Sequence, residues 1–220
     1  MSASKIIKTI TVEVDDQLKR SIQPFDFNFD GTSTFEVPEF HAPKRDGKWN
    51  IGLIVGPSGS GKSTLLSSNY GITPDPEWNP NKAIVSQVDH KRLMATGLNS
   101  VPSWCRPYHV LSNGEAFRAR MARSIATDAA FDEFTSVIDR NVAKSASHSL
   151  QRFIRSENMT GVVFASCHHD IVEWLQPDWQ FDTATGKFTS SEFFIVGHQS
   201  SFPFTAVDVI GGRILGTITI

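Results

Sequence analysis

The sequence is poor in cysteine, has no long apolar run and carries almost no net charge. Its two cysteines, Cys105 and Cys167, are too few for a disulfide framework and favour a reducing, cytoplasmic compartment. No segment approaches the run of about 18 apolar residues that a transmembrane helix needs, so membrane insertion is not expected. A formal net charge of -2 argues against a protein that coats nucleic acid by charge alone.

Strand patterns are found at both ends of the chain. Near the N-terminus, Ile6–Val14, residues 25–29 and residues 35–40 alternate apolar and polar side chains, as half-buried strands do. After Trp179 the strand pattern returns, with Thr185-Gly186 as the turn of a hairpin. These ends predict an antiparallel β layer.

The middle of the chain alternates strands with helices. Its candidate strands are the short apolar runs Ile51–Val55, Ala83–Val88, Ala129–Phe131 and Gly161–Ser166. Helices are predicted after Lys62, after Ser112 and over residues 139–157. Because strands separated by helices usually pair in parallel, we predict an α/β fold with a mostly parallel central sheet.

The strongest motif lies between the strand Ile51–Val55 and the following helix. Residues 56–63 read Gly-Pro-Ser-Gly-Ser-Gly-Lys-Ser and match the phosphate loop G-x-x-x-x-G-K-[ST]. Its glycines let backbone N–H groups converge on phosphate oxygens, and the helix N-terminus favours negative charge. Lys62 supplies a charge for the β- and γ-phosphates, and the Ser63 hydroxyl a ligand for Mg²⁺. The predicted nucleotide-binding residues are Gly56, Pro57, Ser58, Gly59, Ser60, Gly61, Lys62, Ser63 and Thr64.

Two shorter motifs follow this loop. Ser112 precedes a helical pattern and has Glu115 three residues later, as in a capping box. Asp132 and Glu133 come directly after a candidate strand. Asp132 can hold Mg²⁺ through water, and Glu133 can polarise an attacking water. Taken alone, the first motif fits an ordinary helix cap and the second a solvated strand end, but their order after a phosphate loop favours a function.

This order of motifs resembles that of ATP-binding cassette (ABC) ATPases over about residues 47–182. Gly56–Ser63 resembles the Walker A loop, and Asp132-Glu133 resembles the Walker B aspartate with the catalytic glutamate. Leu111–Glu115 is similar to the signature LSGGQ, and Ser136–Asp139 resembles the D-loop. The resemblance implies a P-loop ATPase in a single domain over residues 1–220, with a short helical subdomain at about 88–125.

The resemblance also implies roles for three further residues. Gln87 looks like the Q-loop glutamine, and His168 looks like the switch histidine that senses the γ-phosphate. Since Cys167 is followed by two histidines, His169 stays an alternative: the strand count favours His168, whereas a histidine directly before Asp favours His169. The implied catalytic residues are Glu133, His168 and Gln87, the implied Mg²⁺ ligands are Ser63, Gln87 and Asp132, and the implied contacts to a partner's nucleotide are Ser112, Asn113, Gly114 and Glu115.

The sequence departs from the family pattern at three positions. Asn113 replaces a glycine and Glu115 a glutamine of the signature, and Phe134 stands where the family usually has proline. None of these changes removes a chemical group that hydrolysis needs. The resemblance therefore implies an enzyme that hydrolyses Mg-ATP between two copies of the chain in a head-to-tail homodimer, which ATP closes and hydrolysis opens.

The helical subdomain bears on what this motion drives. Gln87 and Ser112 are only 25 residues apart (112 minus 87), whereas transporter cassettes usually carry a longer subdomain that docks the membrane partner. Residues 97–115 and 167–179 look like a group of soluble ABC ATPases, some of which are fused to a predicted acetyltransferase domain. We therefore expect a protein or nucleic-acid partner that is not a transporter. The alternative is the nucleotide-binding subunit of an ABC transporter, and a scaffold without turnover is disfavoured by Glu133.

Three further features have open interpretations. Phe27, Phe29 and Phe35 are candidates for stacking on adenine, although a Phe at strand spacing is usually a core residue. Basic side chains on the predicted helix 139–157 form either a solvated face or a contact for nucleic acid. The apolar segment Ile214–Ile220 is either a last strand of the sheet or a docking segment for a separate protein partner.

Overall fold

A computed structural model describes residues 5–135 and 139–191. The strands are β1 (Lys5–Thr11), β2 (Thr32–Pro38), β3 (Ile51–Val55), β4 (Ala130–Phe131), β5 (Val162–Ser166), β6 (Trp179–Asp182) and β7 (Lys187–Ser190). The α-helices are α1 (Asp16–Ile22), α2 (Lys62–Tyr70), α3 (His90–Ala95), α4 (Val101–Trp104), α5 (Asn113–Ser124), α6 (Arg140–Ser156) and α7 (Ile171–Leu175). Short 3₁₀ helices cover Gln23–Phe25, Ile84–Ser86 and Tyr108–Val110.

The central sheet has five strands in the order β4-β5-β3-β6-β7. The first four are parallel, and β6 and β7 form an antiparallel hairpin. A separate two-stranded antiparallel sheet joins β1 to β2. The predicted α/β class, mostly parallel sheet and antiparallel layer are therefore confirmed. Because β3, β4, β5 and β6 run in the same direction, the loops after all four lie at one edge of the sheet.

Both faces of the central sheet are covered, so its inner strands are apolar throughout. Every residue of β3 and β5 is buried, as expected for parallel strands between two helical layers. On one face α6 contributes the buried side chains Leu150 and Ile154. On the other, α2 contributes Leu65 and Leu66. The sheet is thereby a rigid base for the loops at its carboxyl edge.

The helical subdomain, which we define as residues 84–124, has a small core of its own. Its buried apolar side chains are Ile84, Val88, Leu93, Leu98, Ala119 and Ala122. Gly97 brings the subdomain onto α6, where a Cβ at this glycine would lie 2.7 Å from Cβ of Ala146. The predicted short helix and irregular segment over residues 89–110 correspond to α3, α4 and a 3₁₀ turn.

Two predicted strands are wrong. Ala83–Val88 contains a 3₁₀ helix in place of a strand. Ile84 and Val88 of this segment pack into the core of the helical subdomain, and the Ile84 N–H donates to Arg106 O at 2.9 Å. Residues 25–29 are the end of a 3₁₀ helix and an irregular segment, with Phe25 80% and Phe27 60% exposed. Here the Asp15 side chain caps α1 and Pro24 stands at the start of the 3₁₀ helix, so local helix signals prevail over the alternation.

Candidate functional site

The phosphate-loop motif forms a tight loop between β3 and α2. Gly61 caps α2 in a left-handed conformation and provides no side-chain hydrogen bond to the helix. The first N–H groups of an α-helix have no intrahelical acceptor, so those of Lys62, Ser63 and Thr64 are donors for a ligand. The Lys62 ammonium donates to Pro57 O at 2.7 Å. This contact holds the positive charge over the loop.

The three glycines of the loop serve different purposes. A Cβ at Gly56 would lie 2.0 Å from Oγ1 of Thr183, and one at Gly61 would lie 3.0 Å from the Val37 side chain. A Cβ at Gly59, in contrast, would meet nothing within 4 Å. Gly56 and Gly61 therefore make room for other parts of the protein, whereas Gly59 is on the open side where a ligand can approach.

The sheet brings the other predicted site residues to the same edge. Val55 is level with Ser166 in the register of β3 and β5, and Phe131 is level with Phe164 in that of β4 and β5. Asp132 and Glu133 therefore emerge beside the phosphate loop with only β5 between them, and His168 follows β5 in that space. Residues that are far apart in the sequence are thus placed around one position.

The turn after β4 has an unusual backbone. Glu133 and Thr135 both have positive φ angles, 54° and 75°, which non-glycine residues adopt at a cost of about 1–3 kcal/mol each. Phe134, between them, is fully buried against Phe164 with ring centroids 4.8 Å apart, and its N–H donates to Ala165 O at 2.8 Å. Proline has no N–H and could not make this hydrogen bond.

His168 is held by hydroxyl groups from two strand ends. Its Nδ1 lies 3.0 Å from Oγ1 of Thr135, and its backbone N–H donates to Oγ of Ser166 at 3.1 Å. Burial, and then the nearby charge of Arg140, lower the pKa of His168, which keeps the ring neutral near pH 7. His169 is exposed, and its carbonyl accepts from the N–H of Val172 at 3.2 Å in the turn that leads into α7. Of the two histidines, His168 is the one that contacts the turn after β4.

The residues that resemble the ABC signature begin α5 as a capping box. Oε2 of Glu115 accepts from the N–H of Ser112 at 3.0 Å and from its hydroxyl at 2.9 Å, while Oε1 accepts from the Ser103 hydroxyl at 2.5 Å. These hydrogen bonds, led by that of Ser103, lower the pKa of Glu115 to about 2. Ser112 and Asn113 are exposed. The N-terminus of α5 is thus ordered and accessible.

The hydrogen bonds of the Gln87 side chain are made to residues outside the phosphate loop. Its side chain accepts from the N–H of Asn79 at 2.9 Å and from Arg123 at 3.1 Å, and donates to the carbonyl of Lys82 at 3.1 Å. All these partners belong to the helical subdomain and the loop before it. To contact a metal or phosphate at the sheet edge, Gln87 has to leave these partners.

The donor set suits a metal that is also bound by phosphate. Ser63 is exposed, and Asp132 uses Oδ1 to accept the N–H of Glu133 at 2.8 Å, which leaves Oδ2 for a water or an ion. In the described ranges no group of three or more acidic, histidine or cysteine side chains forms a closed metal site. A hydroxyl and one carboxylate are what Mg²⁺ uses when nucleotide oxygens complete its coordination.

Two clefts border these residues. One of about 210 Å³ opens between the loop after α2, α5 and the end of β4, and Asp132 and Glu133 line it. The other, of about 320 Å³, lies beside Thr64 and is lined by Phe40 and His41 among others. None of the predicted adenine-stacking residues lines this second cleft. Phe27 stacks on Phe29 with ring centroids 6.4 Å apart, and Phe35 packs against the core around Trp179.

The basic side chains of α6 are largely engaged by the protein itself. Arg155 donates to Gln176 O at 2.6 Å and pairs with Asp178 at 3.3 Å. Arg140 pairs with Asp170, and Lys144 lies 5.9 Å from the Trp174 ring centroid. These contacts favour a structural face over a surface for nucleic acid. Residues 136–138 of the predicted D-loop and the apolar segment 214–220 lie outside the described residues.

Two residues with clear contacts to the site were missed by sequence reasoning. Thr135 contacts His168, and Thr183 contacts Ser60 of the phosphate loop at 2.5 Å. Thr135 is adjacent to the acidic pair, which is a weak signal. Thr183 is 120 residues from the loop (183 minus 63), and its only sequence signal is that it follows a strand.

Comparisons with known proteins identify the fold. No family model and no curated protein matches the sequence. Among solved structures, the dimeric MJ0796, a bacterial ABC transporter cassette, is 14% identical with a TM-score of 0.52 over 72% of this chain and 92% of that chain. A post-hydrolysis dimer of the same cassette bound to ADP and Pi is 14% identical with a TM-score of 0.53, over 84% of this chain and 98% of that chain. A putative metal-chelate type ABC transporter in an inward-facing conformation is 20% identical with a TM-score of 0.50, over 74% of this chain and 79% of that chain.

These comparisons assign the fold and leave the finer resemblance untested. At identities of 14–20% the likeness establishes the fold, which is that of an ABC ATPase cassette. None of the three structures is described as fused to an acetyltransferase, so the narrower resemblance stays a prediction. Among the described residues, no helix is both long and apolar enough to cross a bilayer.

Proposed function

We propose that this chain is a soluble ABC-type ATPase that binds and hydrolyses Mg-ATP in a head-to-tail homodimer. The observation that carries the proposal is the meeting of three loops at one sheet edge. The phosphate loop follows β3, the acidic pair Asp132-Glu133 follows β4, and His168 follows the strand between them. This arrangement provides a cradle for phosphate, a carboxylate for metal and a carboxylate for water.

The phosphate loop binds the nucleotide in this proposal. The N–H groups at the start of α2 and the Lys62 ammonium donate to the β- and γ-phosphates. Lys62 exchanges its 2.7 Å contact with Pro57 O for these oxygens, a stronger, charge-assisted interaction. A bound Mg²⁺ supplies positive charge at the phosphate oxygens, and Ser63 and Asp132 are the side chains that hold it.

Glu133 and His168 act on the water and on the γ-phosphate. Glu133 is exposed and lines the cleft at the end of β4, where a water can approach the nucleotide. As a carboxylate it accepts a hydrogen bond from that water and orients it for in-line attack. His168, kept neutral by its lowered pKa, is able to share a proton on Nε2 with the γ-phosphate. Gln87 joins this set only after it leaves Asn79 and Arg123.

The exposed N-terminus of α5 supports the dimer. Ser112, Asn113, Gly114 and Glu115 begin a helix whose first N–H groups suit an anion. The hydrogen bonds of the capping box join Ser112 and Glu115 to each other, and Glu115 also accepts from Ser103, so these contacts stay within the helical subdomain. We therefore assign them to the nucleotide of a second copy. The structural neighbours that are described as dimeric support a dimer.

The partner driven by this cycle is proposed to be a protein or nucleic acid outside membrane transport. The short helical subdomain supports this, because α3 and α4 have only 6 and 4 residues. The free cysteines Cys105 and Cys167 support a reducing cytoplasm. The alternative, a transporter subunit, is favoured by neighbours that are described as transporter cassettes. Co-purification with a membrane protein distinguishes the two.

The proposed function is tested with Glu133→Gln, which keeps the shape of the side chain but cannot activate water. We expect this variant to accumulate as an ATP-bound dimer with Mg-ATP, so that light scattering reports twice the monomer mass of 24.4 kDa. Glu77→Gln, at an exposed loop position, is the matched control and is expected to dimerise only transiently. A Glu133→Gln protein that stays monomeric at saturating Mg-ATP would contradict the dimer. The trapped dimer is also the bait for isolating the partner.

A further inference from the structure

Thr183 links the C-terminal hairpin of the sheet to the phosphate loop. It follows β6 and is buried, with 6% of its surface exposed. Its N–H donates to Val55 O at 2.8 Å, which extends the pairing of β6 with β3 by one residue. Its hydroxyl lies 3.1 Å from the same carbonyl and 2.5 Å from Oγ of Ser60. The Thr183 side chain therefore contacts Val55, which directly precedes the phosphate loop, and Ser60 within the loop.

The first glycine of the loop is shaped around this contact. A Cβ at Gly56 would lie 2.0 Å from the Thr183 hydroxyl oxygen and 3.1 Å from that of Ser60. The φ angle of Gly56 is 147°, which L-residues rarely adopt. The absence of a side chain at Gly56 thus leaves room for the hydroxyl of Thr183 against the phosphate loop.

The hydroxyl hydrogens can be assigned in two ways, and both keep the loop attached to Thr183. In one, Thr183 donates to Ser60 and Ser60 donates to Pro57 O, 2.7 Å away. In the other, Thr183 donates to Val55 O and Ser60 donates to Thr183. Pro57 O also accepts from Lys62 at 2.7 Å. When Lys62 turns to a nucleotide, the first arrangement still supplies Pro57 O with a donor.

We propose that Thr183 is a positioning residue for nucleotide binding, which holds the phosphate loop open through Ser60. Pro57, Ser58 and Gly59 are exposed, so the loop gains little rigidity from packing. A loop fixed before binding loses less conformational entropy when the phosphates arrive. Thr183 provides this restraint from a strand that contributes no group to the phosphates themselves. The inference rests on the proposed function, since it assigns a role in binding the same nucleotide.

The substitution Thr183→Val removes the hydroxyl group and keeps the packing of the side chain. Valine has the same shape, fits a strand end and cannot hydrogen-bond to Ser60. We expect its dissociation constant for ATP and for ADP to rise by roughly tenfold, the factor that corresponds to about 1.4 kcal/mol of lost hydrogen bonding. Because Thr183 touches no reacting group, kcat at saturating Mg-ATP should stay within about twofold of the wild type.

Four further variants make the result specific. Thr183→Ser restores a hydroxyl and should restore affinity to within about threefold of the wild type. Ser60→Ala removes the same bond from the loop side, so it should weaken binding too, and the double variant should be no weaker than the weaker single variant. Thr189→Val changes a threonine on the other strand of the hairpin, level with Gln180 in the register, and should bind normally.

Isothermal calorimetry with ADP and with ATP distinguishes the two possible failures. If the wild type binds neither nucleotide, the proposed function is wrong. If the wild type binds and Thr183→Val binds equally well, the role of Thr183 is wrong while the proposed function stands. Strict additivity of Thr183→Val and Ser60→Ala also overturns the role of Thr183. Should Thr183→Val fail to fold in thermal unfolding, Ser60→Ala and Thr183→Ser carry the same test.

Discussion

Thr135 and His168 are joined side chain to side chain, with Oγ1 of the threonine 3.0 Å from Nδ1 of the histidine. Thr135 lies on the turn after β4 and His168 follows β5, so the contact bridges two loops of the sheet edge. The Thr135 hydroxyl is also 3.2 Å from that of Ser166, and Thr135 is fully buried. This contact occupies Nδ1 and leaves Nε2 of His168 for a ligand.

Removal of the Thr135 hydroxyl should impair hydrolysis more than binding. In Thr135→Val the His168 ring loses its hydroxyl partner at Nδ1 and keeps only the longer contact of 3.7 Å with Sγ of Cys167. We therefore expect kcat to fall by about fivefold to tenfold, as for one lost hydrogen bond. KM for ATP should change little, because the phosphate loop is untouched. Thr135→Ser is the control that keeps the hydroxyl. Equal kcat values for the valine and serine variants would contradict the role of this contact.

Replacement of Lys62 should abolish most nucleotide affinity. Lys62→Ala removes the ammonium that donates to Pro57 O. A charged hydrogen bond to a phosphate is worth about 1.5–3 kcal/mol or more. We expect at least roughly a tenfold rise in the dissociation constant for ATP, measured by calorimetry. Lys91→Ala, at an exposed position of α3, is the matched control. Unchanged binding by Lys62→Ala would rule out the assigned loop.

The capping box of α5 should make stability depend on pH in the acid range. The pKa of Glu115 is lowered from 4.5 to about 2 in the folded protein, so its ionised form stabilises the fold at pH values above 4.5. This contribution falls as the pH drops from about 4.5 towards 2 and the carboxylate is protonated. Glu115→Gln does not titrate, and we expect it to be less stable than the wild type near neutral pH.

The measurement is a series of thermal unfolding curves for wild type and Glu115→Gln. The difference in Tm between them should be largest above about pH 4.5 and should shrink towards pH 2. Glu77→Gln, in the exposed loop before the helical subdomain, controls for the general effect of removing one negative charge. A Tm difference for Glu115→Gln that stays constant down to pH 2 would show that the capping box does not depend on the carboxylate charge.

Gly52 is a packing requirement of the strand that leads to the phosphate loop. A Cβ at this position would lie 2.1 Å from the Trp179 indole. The rings of Trp49 and Tyr70 pack against this indole, with ring centroids 5.4 and 5.9 Å from that of Trp179. Gly52→Ala should therefore displace the indole and cost about 1–3 kcal/mol of unfolding free energy by overpacking. Urea unfolding measures this loss. Ser68→Ala, on the exposed side of α2, should stay within about 0.5 kcal/mol of the wild type.

Features with a local cause were predicted correctly from the sequence. The loop Gly56–Ser63 has its glycines where the backbone turns with positive φ, and the capping box at Ser112 is formed by two side chains three residues apart. The hairpin at Thr185-Gly186 joins two strands through a turn that glycine permits. In each case the backbone turn or cap is formed by residues within a few positions of one another, so the pattern of residue types is sufficient to predict it, although distant residues such as Thr183 and Val37 also pack against the loop.

Features that depend on distant partners were not predictable. Ala83–Val88 is apolar enough for a strand, but it contains a 3₁₀ helix whose Ile84, with the nearby Val88, packs into the small core of the helical subdomain. The catalytic and metal role that the resemblance implies for Gln87 stays a prediction, and the sequence does not show that its carboxamide is hydrogen-bonded to Asn79 and Arg123. Both outcomes depend on how the helical subdomain packs, which no local pattern of residues shows.

The residue types thus predict the chemistry: a lysine and a hydroxyl for phosphate and metal, two acids for metal and water, and a histidine beyond the next strand. Only the folded sheet decides which groups support them. Thr183 meets Ser60 because β6 pairs with β3, and Thr135 meets His168 because β4 pairs with β5. Each of these two strand pairs joins segments that are more than 30 residues apart in the sequence. Their register is set by the buried faces of the sheet and not by neighbours along the chain.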